Sequence, residues 1–194
     1  MHNGADAASV IRASREKPTG EKDLGNPVKA LTMRRMKKAL LIKRIIAKLA
    51  ESVENLEKAA RASHEEATHE SNKAESKYDT RGLEAAYLAG GQARQARELL
   101  QAVEAYESFS ARRFASEEVI DLGALVELEA DGTASNFFLG PKGGGLEVEQ
   151  NGVEITVITP QSTIGQNLMG KKQGDRWMTK LGGRTVKYHI TAVS

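Results

Sequence analysis

Cysteine is absent from the 194 residues, which excludes disulfides and thiolate metal sites and fits a reducing compartment. Aromatic residues make up only 5% of the chain, so its core is modest. No apolar run approaches the ~20 residues of a membrane span. The polar N-terminus also lacks the apolar stretch of a signal peptide. These absences predict a cytoplasmic protein with no membrane partner. The net charge is only +2, so whole-chain charge does not point to nucleic acid, although local charge still counts.

What is present is a charged, helix-prone first half and a strand-prone second half. Charged residues make up 28% of the chain, a composition typical of long exposed helices where Ala, Glu, Lys, Leu and Arg dominate. Residues 1–35 are broken by Gly4, Pro18, Gly20, Gly25 and Pro27 and offer few large apolar side chains. Ordering such a backbone is not repaid by burial, so 1–35 is read as a disordered tail. It has the look of a non-native or mis-assigned start, with Met33 or Met36 as the true first residue.

From Met36 a coiled-coil register begins. Ile42, Leu49 and Leu56 are spaced by seven, and Ile46, Val53 and Ala60 follow each by four. A second stripe runs through Ala86, Ala89, Ala93, Ala96, Leu100 and Val103. Two such helices joined by a short connection pack antiparallel, and the alanines permit close approach near the tip. The expected element is a hairpin over 36–112, a narrow prong of roughly 45 Å at ~1.5 Å per residue. Gly90-Gly91 costs about 1 kcal/mol per glycine and makes a local bend reasonable. The reversal is placed at 64–76, a carboxylate-rich stretch without apolar periodicity. There Ser71 or Asn72 suits an N-cap, and Glu75 suits the first turn that follows.

Residues 113–119 read as a linker and 120–194 as a small globular domain, giving an α+β chain overall. Strand signals fall on 124–129, 136–139, 153–158, 176–179 and 186–190. The last two flank Leu181-Gly182-Gly183-Arg184, a hairpin turn. Residues 160–171 read as a loop and a short helix packed on the sheet. Lys142-Gly143-Gly144-Gly145 lacks the Gly-Lys-Ser/Thr ending of a phosphate loop and reads as a flexible hairpin loop. His64 and His69 are five apart, poor spacing for a shared metal on a helix. The basic group Arg34, Arg35, Lys37, Lys38, Lys43 and Arg44 suits either a negatively charged partner or a solubilising face.

The most specific signal is Pro160-Gln-Ser-Thr-Ile-Gly165-Gln-Asn-Leu168-Met-Gly170-Lys171-Lys-Gln-Gly174-Asp175. It resembles the signature of the C-terminal domain of the bacterial Gre (GreA/GreB-type) transcript-cleavage factors. In that family a Pro-initiated segment leads to Gly-x-x-Leu-x-Gly-Lys and a Gly-Asp turn before the last hairpin. The order of the halves agrees, and the resemblance covers everything but the tail. It implies an FKBP-like fold for 120–194 and a protein that binds RNA polymerase. Nascent RNA and DNA would be met only indirectly, through the elongation complex. Pro160, Gly165, Leu168, Gly170, Lys171 and Asp175 become the candidate partner-binding residues.

The resemblance further implies a coiled coil inserted in the secondary channel. Tip carboxylates there help hold a second Mg²⁺ jointly with the polymerase, so that the polymerase cleaves backtracked RNA. Mg²⁺ prefers oxygen ligands, and a two-metal site stabilises both attacking and leaving oxygens. The chain would have no cofactor and no catalysis of its own, and would act as a monomer. Glu66, Glu70 and Glu75 are the candidate tip acids, with Glu66 and Glu70 as candidate Mg²⁺ ligands. The tip departs from the family pattern. Matching Ala74-Glu75 to the Ala-(Glu/Asp) of the Gre tip puts His69 and Asn72 at the two positions where the family carries its key acids. That leaves a non-cleaving relative, or a coiled-coil adaptor outside transcription, as the alternatives. An FKBP-like fold also invites prolyl isomerase activity, but the domain offers few aromatics for a pocket: Phe137, Phe138, Trp177 and Tyr188.

Overall fold

A computed structural model describes residues 36–68, 81–181 and 183–194, with the side chains of 63–68, 81–87 and 181 outside the description. Helix α1 (Lys38–Thr68) and helix α2 (Arg81–Glu107) precede six strands. These are β1 (Leu125–Ala130), β2 (Thr133–Leu139), β3 (Glu147–Gln150), β4 (Val153–Ile158), β5 (Arg176–Leu181) and β6 (Arg184–Val193), with the short helix α3 (Thr163–Leu168) between β4 and β5. The strands form one sheet in the order β3-β4-β2-β1-β6-β5. Every neighbouring pair is antiparallel except β2 with β4. The chain is thus mixed α+β, helical first and sheet second.

Strand alternation sends successive side chains to opposite faces, and the two faces carry separate cores. Val126, Leu128, Phe137, Leu139 and Ile158 face Ile164 and Leu168 of α3 together with Phe114 and Ile120 of the connecting segment. Leu125, Phe138, Val148, Ile155 and Val157 face the helix pair, meeting Leu41, Ile42, Ile45 and Leu49 of α1 and Ala102 and Tyr106 of α2. The start of α1 therefore lies beside the end of α2, and both rest on the sheet. Fully burying a Leu or Ile contributes roughly 1.5–3 kcal/mol, so three such residues on α1, Leu41, Ile45 and Leu49, make this root the main attachment.

The buried face of α1 is broader than the coiled-coil seam at its base and narrows to it further out. Leu41 and Ile45 lie beside the seam positions Ile42, Ile46 and Leu49 because the root must cover the sheet as well as α2. Beyond Leu49 only half-buried positions remain, and Val53, Leu56 and Ala60 of the expected seam are among them. On α2 the inward stripe keeps Ala96 and Val103 of the expected one and departs from it elsewhere. Ala89, Ala93 and Leu100 are exposed, while Ala96, Leu99, Ala102, Val103 and Tyr106 turn inward. The large ring of Tyr106 sets that phase. The helix runs without interruption through Gly90 and Gly91, where a Cβ would meet nothing.

Polar bonds fasten the root where apolar contact stops. β3 is an edge strand, and edge carbonyls invite pairing with other chains. Two of them are occupied from α1, with the Arg44 guanidinium donating to Glu149 O and Lys48 Nζ to Glu147 O at 2.6 Å. The Tyr106 hydroxyl donates to Lys142 O at 2.9 Å, and burial pushes its acidity constant well above the usual phenol range. Gly140 lies directly against that hydroxyl, at a spot where a Cβ would stand 1.9 Å from the oxygen. The Lys142–Gly145 stretch, expected as a flexible hairpin loop, is instead the crossover between β2 and β3 seated under Tyr106. Gly145 N donates to Val157 O at 2.8 Å to hold it there.

Two tight turns complete the sheet. Asp131-Gly132 and Asn151-Gly152 both adopt positive φ at each residue, the geometry of a two-residue type I′ hairpin. They join β1 to β2 and β3 to β4.

Replacing Gly140 with Ala should destabilise the protein by about 2 kcal/mol or more, because the tyrosine must leave its acceptor. Tyr106→Phe should cost only about 1 kcal/mol, and adding it to Gly140→Ala should recover part of the loss. Urea denaturation of the four variants in a double-mutant cycle measures both effects.

Candidate partner-binding surface

The segment from Thr159 to Asp175 is built by a few local rules. Ser162 is the N-cap of α3, with extended backbone, and its hydroxyl accepts from Gly165 N at 3.0 Å. The same hydroxyl donates to Thr159 O at 2.8 Å. The helix start therefore presses against the Thr159 carbonyl, and a Cβ at Gly165 would stand 1.9 Å from that oxygen. Only glycine fits. Leu168 is fully buried in the sheet core. Gly170 takes φ +75 to end the helix, and its N–H donates to Ile120 O at 3.0 Å while Ile120 N donates to Lys171 O at 2.7 Å. This two-bond ladder ties the chain entering the sheet to the end of α3.

Asp175 closes the next turn. Its carboxylate accepts from Lys172 N at 2.8 Å, and its backbone pairs with β6 through Ile190 N at 3.0 Å. Gly165, Leu168, Gly170 and Asp175 are thus accounted for by architecture. Lys171 is different. Its ammonium stands 5.3 Å from the centre of the Trp177 ring, and Trp177 stacks on Tyr188 at 5.0 Å. Half-buried Pro160 and Lys171, with exposed Gln161, Gln166 and Met169, form the surface of this segment. Exposed Val119 and Leu122 add apolar area from the strand-entry side. The structure therefore brings the motif together as one knuckle, with side chains on offer at Pro160 and Lys171 rather than at all six candidates.

The aromatic count also resolves. Phe137 and Phe138 are core residues, one on each face of the sheet, and Trp177 and Tyr188 cover each other. Of the basic group, Lys38 is buried and Arg44 is engaged with the β3 edge. Arg34 and Arg35 lie outside the described residues. Within 113–119 Phe114 is buried, with the Lys38 ammonium and the Arg112 guanidinium over its ring at 4.7 and 3.9 Å from the ring centre.

At the other end, α1 continues through His64, Glu65, Glu66 and Thr68, but only as backbone. The side chain of Glu66, together with His69, Glu70, Asn72 and Glu75, lies outside the described residues, as do the proposed caps Ser71 and Asn72. Among the described residues no three His, Asp or Glu stand together in a way that could hold a metal. No helix there is long and apolar enough to cross a membrane.

No family model matches the chain, and no curated protein matches it. Solved structures give a faint likeness. The crystal structure of GreA factor homolog 1 (Gfh1) of Thermus thermophilus is 18% identical over 77% of this chain and 94% of its own, with a TM-score of 0.31. A structure of the transcription factor Gfh1 is 21% identical, covering 78% and 92% of the two chains, at TM-score 0.32. Thermus aquaticus Gfh1 is 22% identical, covering 78% and 94%, again at 0.32. Similarity of that grade assigns neither a family nor a role to this chain.

The packing of Gly165 makes a specific forecast. Gly165→Ala should lower the melting temperature by several degrees, since backbone stands in the way of the new methyl. Lys171→Ala should leave it nearly unchanged, because a cation over a ring at a partly solvated site contributes only about 0.5–1 kcal/mol. Thermal denaturation followed by circular dichroism compares the two.

Proposed function

We propose that this chain is a Gre-like transcription factor that binds RNA polymerase, with the Pro160–Asp175 knuckle as part of its docking surface and the helix pair as the inserted element. The run of residues from Pro160 to Asp175 carries this reading. The arrangement of the chain supports it. Beyond Leu49 and Leu99 no described residue of either helix is buried apart from the α2 root, so the pair leaves the sheet and extends outward. Residues 50–68 alone extend α1 by about 28 Å at ~1.5 Å per residue. The exposed flanks are dressed with i,i+4 ion pairs, Glu54 with Lys58 and Glu57 with Arg61. Those favour a solvated rod by a few tenths of a kcal/mol each.

In this reading the helices form an antiparallel hairpin, the C-terminal domain is FKBP-like, and the protein is a cytoplasmic monomer. Glu66, Glu70 and Glu75 act in trans, Glu66 and Glu70 sharing a Mg²⁺ with the polymerase. The chain performs no catalysis alone. RNA and DNA are met only within the elongation complex. One observation favours a second version. His69 and Asn72 occupy the positions expected for the two key acids, and imidazole is a poor partner for Mg²⁺. A non-cleaving protein that occupies the channel would need no acids there.

Two experiments order these alternatives. The full chain should co-elute with core RNA polymerase on gel filtration at low salt, and Lys171→Glu should weaken that association. No association at low salt contradicts the whole reading and leaves an adaptor outside transcription. With binding established, backtracked elongation complexes should show Mg²⁺-dependent RNA shortening that Glu66→Ala with Glu70→Ala removes. Binding without shortening selects the non-cleaving version.

A further inference from the structure

The root of α1 and the segment that follows α2 enclose a cleft of about 340 Å³. That is near the lower end of the range for small-molecule sites, roughly 300–1,000 Å³. Lys38 and Arg113 supply its charge, Ser116 and Ser194 its hydroxyls, and Met36 and Phe114 its apolar wall. None of these residues belongs to the knuckle or to the helix tip.

Lys38 is the unusual member. Only 7% of it is exposed, and a charge buried so far is ordinarily paired with an opposite charge. Its ammonium instead donates to two neutral carbonyls, Arg112 O and Gly123 O, both at 2.7 Å. An ammonium has three donors, and besides the two carbonyls it meets only the Phe114 ring, whose centre lies 4.7 Å away. The two charges that act on it most, Arg112 and Arg113, are of its own sign. Burial first, then Arg112 and Arg113, lower Lys38 from 10.5 to about 8. The carboxylates of the segment are engaged elsewhere. Glu118 takes Arg112 at 2.8 Å and the Ala115 N–H at 2.7 Å, and Glu117 accepts from the Ser116 hydroxyl at 3.0 Å. Among the described residues, Lys38 and Arg113 have no carboxylate partner.

We infer that this cleft is an anion site for a phosphate group, held between the buried Lys38 ammonium and the Arg113 guanidinium at the rim. A tetrahedral oxyanion accepts from donors converging from several sides, which suits one point-like ammonium and one forked guanidinium. It also supplies the counter-charge that the fold withholds from Lys38. A bare phosphate leaves much of the cleft empty. The Met36 and Phe114 wall favours a phosphate carried on a small organic body.

The test uses the full chain, with ionic strength held constant by chloride, and two probes, inorganic phosphate and phenyl phosphate. Calorimetric titration should show saturable binding of both. Phenyl phosphate binding more tightly assigns the site to organic phosphates, and equal affinity assigns it to the free ion. Arg113→Ala should weaken binding about tenfold, the loss of one charge-assisted contact, and Lys38→Met should abolish it. An NMR titration of the Lys38 side chain should show its midpoint rise from about 8 toward 10.5 when phosphate is bound.

The same group gives a pH signature without ligand. Between about 8 and 10.5 the unfolded chain holds the Lys38 proton more tightly than the folded one, so wild type should gain stability relative to Lys38→Met as pH rises through that window. Should Lys38→Met not fold, Arg113→Ala, at an exposed position, decides alone. No response beyond matched chloride, or a response unchanged in Arg113→Ala, overturns the inference.

Discussion

The contact between the first turns of α1 and one face of the sheet is the constraint on which the remaining structure depends. Leu41, Ile45 and Leu49 are buried there against Val148, Ile155 and Val157. The same turns carry Arg44 and Lys48 to the carbonyls of the β3 edge. Tyr106 brings α2 to the same place and fastens the β2–β3 crossover. Remove that seat and the sheet loses the cover of an entire face, while the helices lose their anchor. Apolar burial supplies most of the free energy, and the polar bonds fix direction, since hydrogen bonds are directional and hydrophobic contact is not.

A rooted helix pair divides the molecule into two regimes. Near the sheet, side chains are packed and their partners are specified. Further out, the described positions of the helices are half-buried or exposed, and the exposed flank of α1 carries ion pairs within the helix. A presenting element needs this division, because precision at its base is converted to position at its far end. The second attachment, the ladder between Ile120 and the end of α3, ties the connecting segment to the opposite face of the sheet. The knuckle and the helix pair are therefore fixed to opposite faces of one sheet.

How much of this was legible in the sequence varied with how local the cause is. The seven-residue register of Ile42, Leu49 and Leu56 announced α1, because seam periodicity is a property of the helix itself. The burial of Leu41 and Ile45 has no such local cause, because it arises from contact with a sheet whose first strand begins only at Leu125. On α2 the expected stripe holds at Ala96 and Val103 and departs at Ala89, Ala93 and Leu100. Small residues carry weak phase information, and the bulky Tyr106 that settles the phase stood outside the stripe. Strand β3 and the start of β2 lie outside the expected strand segments, although Asp131-Gly132 and Asn151-Gly152, strong short hairpin signals, adjoin them. The knuckle was found as a motif, but its glycines and Asp175 proved to serve the backbone. Burial of a lysine has no local signature, so in the sequence Lys38 is one member of a basic group.

Rigidity of the helix pair on the sheet is the central physical claim, and the absence of cysteine makes it directly measurable. Spin labels introduced at exposed Arg61 on α1 and exposed Lys180 on β5, as Arg61→Cys with Lys180→Cys, report the distance between rod and sheet by pulsed dipolar spectroscopy. One narrow distance population is predicted, broadening when Leu49→Ala and Tyr106→Ala loosen the root. Two or more populations in the otherwise unaltered chain, or no change on loosening the root, would contradict the account.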